Sequence, residues 1–437
     1  MMTKFDYPSI GETLYRDTLP NSLRLSVVTK PGYTRSFAFF ATEYGGADRR
    51  FRVGGGEKFL DTPMGVAHFL EHKMFDMPDG DNALSTLAAN GAQPNAYTAS
   101  GITAYHFEST ENFDENLRML LRFVSTPYFT EESVAKEQGI IGQEIRMTED
   151  DPDHVVYDEL MRCLYERHPI RDPIIGTIGS IAEITPETLY HCHEIFYNPG
   201  NMALAVVGDV DPEAVRAAAM EILPRERGEV PRRDYGTAET PLPGAARFHR
   251  AMTVSAPQFM IGMKLSPAQR GAELLRQKLL CDAALSYLYS ASSPFYTRLY
   301  EQGLLNADFF ADLDYAADTM TVLAGGESRD PEAVLAAFVA EAEKAASGGL
   351  DSAYFSRMKK AGYGGRIRAL NSFAGLAAGL ADADFGGYNL LDAFGILSDV
   401  TEEDVRAFIR EHLTGAERYA LSVITPLAEE RRAGADA

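Results

Sequence analysis

Histidine is scarce in this chain, nine among 437 residues, yet two of the nine stand four apart in His68-Phe69-Leu70-Glu71-His72. Residues four apart lie one above the other on a single face of an α-helix. Two imidazoles placed this way can grip one Zn²⁺, and Glu71, one residue before the second histidine, leans toward the same ion. Two ligands with an adjacent carboxylate base are the parts of a zinc hydrolase, here in the inverted order His-x-x-Glu-His. In a chain of this composition the string arises by chance about once in a hundred sequences. The competing reading is an amphipathic helix that carries two structural histidines.

A catalytic zinc takes three protein ligands and keeps one position open. The helix predicted over Thr130 to Met147 offers two acids, Glu137 and Glu144. Seven residues apart, they share one face and are separated by about two turns. One can bind the ion while the other hydrogen-bonds to a ligand or orients the helix. Spacing alone does not choose between them.

The elements that must hold these groups follow from local signals. Leu23 to Thr29 and Ser36 to Tyr44 are strand-like runs separated by Pro31-Gly32. Thr62 followed by Pro63 predicts a helix cap and first turn, with the motif helix over about Met64 to Phe75. Gly54-Gly55-Gly56 has no phosphate-loop pattern and is expected to be a flexible loop before that helix. A short helix over Asn82 to Ala89 should stop at Asn90-Gly91, and Ala96 to Phe107 should form one long strand or a bent pair. Helices are expected over Asn112 to Val124, Val155 to Tyr165, Pro186 to Phe196 and Pro212 to Leu223, and a buried strand over Asn201 to Val207. His191-Cys192-His193 lies at a spacing of two on a helix, where the rings diverge, so these residues are structural.

Pro224 to Gly244 is charged, rich in proline and without apolar periodicity, the composition of a linker. Beyond it the element order repeats. Strands over Phe248 to Val254 and Phe259 to Leu265 precede a helix over Gly271 to Tyr289. Further strands follow near Ala307 to Leu313 and Met320 to Ala324, then helices, then a last strand near Tyr419 to Ile424. The expected fold is α+β with two similar halves, each a mostly antiparallel sheet packed against helices. The division is residues 1–223 as a zinc-binding catalytic domain, 224–244 as linker, and 245–437 as a homologous domain without metal.

The chain carries a formal net charge of −22, which argues against binding a nucleic-acid backbone. An acidic interior or rim could attract basic peptide segments. Cys163, Cys192 and Cys281 have no disulfide or metal spacing and are expected to be buried thiols in a reducing compartment. Met1 to Pro20 has no signal-peptide pattern and no run of about 18 apolar residues occurs, so a cytoplasmic protein with no membrane span is expected.

Beyond the His-x-x-Glu-His string, Gln93-Pro94-Asn95-Ala96-Tyr97-Thr98 and the run from Lys136-Glu137 through Gln143-Glu144 resemble the pitrilysin/insulinase-type zinc peptidases, the inverzincins. The similarity continues through Asn198-Pro199-Gly200-Asn201-Met202 and Val207-Gly208-Asp209. The resemblance implies His68, His72 and Glu144 as zinc ligands, Glu71 as the base that activates water, and Glu137 as the acid that supports the site. It also implies that Asn95, Ala96 and Tyr97 lie on an edge strand that receives an extended peptide by strand addition. The family's Arg and Tyr seven residues apart, which grip substrate, are missing: Tyr300 and Asn306 fall at those places, and Arg298 is out of register. The implied activity is a zinc endopeptidase that works with a homologous partner, as heterodimer or homodimer, two half-clamshells closing on a peptide chamber. A non-catalytic scaffold subunit, or a role linked to translation-factor (elongation factor P) modification, is the alternative.

Overall fold

The computed structural model describes residues 1–53, 58–78 and 80–427; the expected loop at Gly54-Gly55-Gly56 lies outside them. Nine strands belong to the first half: β1 (Thr3–Tyr7), β2 (Glu12–Thr18), β3 (Arg24–Thr29), β4 (Ser36–Thr42), β5 (Arg50–Arg52), β6 (Leu60–Asp61), β7 (Ala92–Thr98), β8 (Thr103–Ser109) and β9 (Met202–Gly208). Then come β10 (Arg232–Arg233), β11 (Arg247–Met252), β12 (Gln258–Leu265), β13 (Phe310–Ala316), β14 (Thr319–Glu327) and β15 (Tyr419–Pro426). The helices that matter for the site are α1 (Val66–Lys73), α2 (Glu131–Asp150), α3 (Pro152–Leu164), α4 (Ala272–Tyr289), α5 (Ser352–Ala369) and α6 (Phe373–Gly386).

Two sheets carry the architecture. The first runs β1-β2-β3-β9-β4-β8-β7 and the second β11-β15-β12-β14-β13. The last five strands of the first sheet and all five of the second share one pattern. One parallel pair (β3 with β9, β11 with β15) is followed by antiparallel neighbours out to an edge strand, β7 or β13. The repeat that was faint in residue identities is explicit in strand order and direction.

The halves cover each other. Helix α6 of the second half lies across β3, β4 and β9, where Phe373, Leu376 and Leu380 meet Phe37, Phe39 and Val207. Helix α3 of the first half lies across β12 and β15, with Leu160 and Leu164 against Leu323 and Ala420. Helices of each half cover the opposite face of its own sheet. Strands β4 and β9 are therefore buried at every position, which is why both are almost wholly apolar rather than alternating. Each fully buried Leu or Phe in these layers contributes about 1.5–3 kcal/mol.

Residues 224–244 run as a fastened strap. Strand β10 pairs with β5. Arg233 Nε meets Asp48, 1% exposed, at 2.9 Å, and the Tyr235 hydroxyl donates to the same carboxylate at 2.7 Å. The Glu239 carboxylate accepts the backbone N–H groups of Arg167 at 2.7 Å, His168 at 2.9 Å and Glu166 at 3.3 Å, with Lys264 Nζ at 3.3 Å. Burial alone would raise its pKa, but those three N–H groups and the ammonium pull it down to about 2.

One expectation needs correction and another is decided between its alternatives. The motif helix begins at Val66, not at Met64, and its N-cap is Gly65 at φ 91° rather than Thr62. Thr62 instead gives its backbone N–H to the Arg49 carbonyl at 2.8 Å, continuing the pairing of β5 with β6. A side chain at residue 65 would put its Cβ 2.6 Å from the Ile175 carbonyl oxygen, so the chain turns into the helix only at a glycine. At Ala96 to Phe107 the second of the two alternatives holds: the segment is a pair, the β7–β8 hairpin, which turns at residues 99–102, and only the bounds differ, from Ala92 to Ser109.

Candidate metal centre

Helix α1 packs on β7 and against α2, so the two histidines, the two acids and the edge strand converge. Thr130 caps α2 reciprocally with Ser133, and apolar Val134, Ile141 and Ile145 on its inner face fix its rotation. That rotation turns Glu137 and Glu144 toward α1. Each of His68, His72 and Glu144 offers one ligand atom within 4.8 Å of the other two. Nε2 of His68 and Nε2 of His72 both stand 3.6 Å from the Glu144 carboxylate, and the two rings are 4.6 Å apart.

Glu137 occupies a different place. Its Oε1 accepts from His72 Nδ1 at 3.0 Å, and its other oxygen lies 3.7 Å from the buried Lys73 ammonium. With Nδ1 donating to a carboxylate, Nε2 of His72 presents its lone pair toward Glu144. The two acids differ in position: Glu144 lies among the three converging donor atoms, and Glu137 lies behind one of them.

The two imidazoles differ in their affinity for a proton. Burial and the neighbouring His72 push His68 down to about 3, so its imidazole is neutral. Burial opposes charge on His72, but the hydrogen bond and charge of Glu137 raise it; the same pairing lowers Glu137 against its own burial. Two imidazole nitrogens and a carboxylate oxygen converge across a partly open gap, donor types that suit a zinc ion. His68 Nδ1 is buried with no hydrogen-bond partner, so this ring lacks the outer support that Glu137 gives His72.

Glu71 is 9% exposed, and the Thr98 hydroxyl donates to its Oε2 at 2.7 Å. Burial raises its pKa, which suits a group that must both accept and return a proton. Sequence reasoning did not give Thr98 this role, although it ends the Asn95-Ala96-Tyr97-Thr98 run and alternation brings it to the α1 side. Asn95, Ala96 and Tyr97 lie on β7, an outer edge of the sheet. The Ala96 N–H donates to the Asn95 side chain at 2.9 Å rather than to β8. Pro94, which has no N–H, suits an edge. The Tyr97 ring is 39% exposed above it.

In the second half, α4 meets the edge strand β13 and packs against α5 as α1 meets β7 and α2. There, Lys278 and Asp282 stand four apart on α4, and Arg366 on α5 pairs with Asp282 while Lys278 Nζ meets Asp382 at 2.8 Å. These ion pairs leave no cluster of His or acid ligands between α4 and α5 among the described residues. At the other positions singled out earlier, Arg298 pairs with Glu341 at 3.1 Å, Tyr300 is 56% exposed, and Asn306 donates to Glu327 at 3.1 Å. His193 Nε2 bonds the Val124 carbonyl at 3.0 Å and stacks on Tyr197, a structural role.

An inverted-motif donor set on a duplicated α+β scaffold defines a class, and comparison with known proteins gives its family. Residues 59–178 match the model of insulinase (peptidase family M16), and residues 183–361 match the peptidase M16 inactive domain. The chain is 35% identical to the uncharacterized zinc protease YmfH of Bacillus subtilis (strain 168), covering 98% of this chain and 100% of that one. An M16-like peptidase of Alicyclobacillus acidocaldarius superposes with a TM-score of 0.91 at 31% identity, over 97% of this chain and 100% of that chain. This chain belongs to peptidase family M16. Pitrilysin shares the fold, with a TM-score of 0.74 at 17% identity, over 97% of this chain but 46% of its own length.

Proposed function

We propose that this chain is a zinc-dependent endopeptidase that cuts peptides or unfolded segments and works with a homologous partner. The observation that carries the reading is the convergence of His68, His72 and Glu144 beside a buried Glu71. When bound there, Zn²⁺ supplies Lewis-acid polarisation of a carbonyl and acidification of water. The chain's own residues do the rest. An extended peptide adds to the β7 edge, taking the Ala96 N–H from the Asn95 side chain, which sets the scissile bond alongside α1. Glu71 takes a proton at its carboxylate from the attacking water and passes it to the leaving amine, while the Thr98 hydroxyl holds that carboxylate in place. Glu137 keeps His72 in the tautomer that leaves Nε2 free.

Two observations support a partner. The stretch Arg298 to Asn306 lacks the expected Arg–Tyr substrate grip, and the chain spans 46% of pitrilysin, whose single chain is about twice as long. A homologue carrying the missing pair would close the chamber and complete the grip; a second copy of this chain would close it without that pair. The same missing pair favours the second reading, a scaffold subunit that keeps the fold without turnover. No described helix is long and apolar enough to cross a membrane. Three buried, unpaired cysteines support the cytoplasmic placement.

The test measures zinc content and cleavage of a quenched peptide library for the wild type, His72→Ala and Glu71→Gln, each alone and mixed with a homologue lacking the motif. His72→Ala should lose metal. Glu71→Gln should keep it and lose about 10²–10⁴-fold in kcat. Full turnover by Glu71→Gln, or none by metal-loaded wild type with any partner, would sink the peptidase reading.

A further inference from the structure

In a chain of net charge −22, a place where arginines outnumber the acids beside them is informative, because the overall field repels anions and only a local array can hold one. Such a place exists toward the edge of the first sheet that lies opposite β7. Arg16 on β2, Arg24 on β3 and Arg227 of the strap line a cleft of about 730 Å³ beside the end of α6. Arg227 also lines an adjoining cleft of about 350 Å³, together with Arg52 and Arg232. The two clefts share Arg227 and Val230 and adjoin as one groove, whose second part also carries Glu229.

The acids of the first cleft are already engaged. Asp384 pairs with Arg16 and accepts from the Ser26 hydroxyl at 2.8 Å, and Asp17 pairs with Arg216 at 2.7 Å. Among the described residues Arg24 and Arg227 enter no salt bridge. Nη1 of Arg24 is buried with no hydrogen-bond partner, Nη2 reaches only the Gly200 carbonyl at 3.4 Å, and the guanidinium lies 5.1 Å from the Phe385 ring centre. Burial lowers the Arg24 pKa even though Glu43 and Asp384 act to raise it. Asp384, the nearer of these to the cleft, is shared with Arg16, so an anion would add to a compensation that one carboxylate divides between two arginines. Thr3, Thr18 and Ser22 add hydroxyl donors along the same wall. Guanidinium forks and hydroxyls in a row match the many acceptor oxygens of linked phosphates better than a single carboxylate.

We propose that this groove binds a small anion carrying two or more phosphate groups, with Arg24 and Arg227 as its main charge partners. The site is independent of the metal centre: four strand spacings, about 19 Å, separate β3 from β7. It makes no contact with the peptide path proposed along the β7 edge.

Isothermal titration of the full chain with sodium pyrophosphate, against sodium chloride at matched ionic strength, tests it. One saturable site is expected, weakened about 10- to 100-fold by Arg24→Gln and by Arg227→Gln, the range for losing one charge-assisted contact. Arg227 is exposed, so its variant keeps the fold and keeps the test decisive even if Arg24→Gln does not. His72→Ala must bind pyrophosphate as the wild type does; loss there would mean chelation by the metal and overturn the site. Equal affinity in Arg227→Gln, or no binding above the chloride control, would overturn it too. ADP binding tighter than pyrophosphate would make the ligand a nucleotide, and equal affinity would make the phosphates sufficient. Hexaglutamate binding as tightly as pyrophosphate would refute phosphate recognition.

Discussion

Replacing Glu137 by Gln isolates the contribution of a residue that would never touch the ion. In the structure its carboxylate accepts from His72 Nδ1 at 3.0 Å and faces the Lys73 ammonium at 3.7 Å. The amide keeps the shape and removes the charge, so the His72 ring loses its fixed tautomer and part of its basicity as a ligand. Removing such a support costs about 10–100-fold in metal affinity, or about 1.4–2.8 kcal/mol. The pH dependence carries a sign that simple misfolding would not give. Because Glu137 raises the His72 pKa, protons compete with the cation more strongly in the wild type than in Glu137→Gln. The affinity gap should therefore be widest at alkaline pH and narrow as pH falls through the His72 titration. Competition with a chromophoric zinc chelator across pH 6 to about 9 reads it directly. An affinity equal to that of the wild type at alkaline pH, with an unchanged thermal transition, would refute the assignment of Glu137 and with it the orientation of His72.

Three further perturbations test the frame. Asp48→Ala leaves the Arg233 guanidinium buried without its carboxylate, and should lower stability to urea by about 3–5 kcal/mol. Glu239→Gln should destabilise by about 1–2 kcal/mol after allowance for solvent screening. Since the folded pKa lies at about 2, below the ordinary carboxylate value, that difference should be complete above about pH 5 and vanish as pH falls toward 2. Gly65→Ala must adopt φ 91° with its Cβ 2.6 Å from a carbonyl oxygen, so metal content and melting temperature should fall together, whereas Gly80→Ala, which meets nothing within 4 Å, should leave metal content unchanged.

Where the sequence was legible, the physics was local. Pro186 to Phe196 was bounded to the residue because Thr185 accepts from the Thr188 N–H and Pro186 opens the helix. The His-x-x-Glu-His string was legible because bringing two imidazoles four apart onto one face needs only a helix between them. The β1–β2 hairpin was not, since β1 is exposed along nearly its whole length and lacks the apolar alternation that marks a strand. The strap was read correctly as charged but not as anchored, because Glu239 and Arg233 are held by backbone N–H groups and a buried acid distant in sequence. Choosing between Glu137 and Glu144 from spacing failed for the same reason: their difference lies in what α1 presents to each.

The exchange of α3 and α6 between the sheets has a bearing on how this chain reaches its native state. A fragment ending in the strap would leave the outer side of its large sheet bare, an apolar surface open to other molecules. Synthesis from the N-terminus must therefore hold that surface until residues 373–386 emerge, late in translation. Conversely, a protease that nicks the strap after folding should release no fragment, for each piece would still be clasped by a helix of the other.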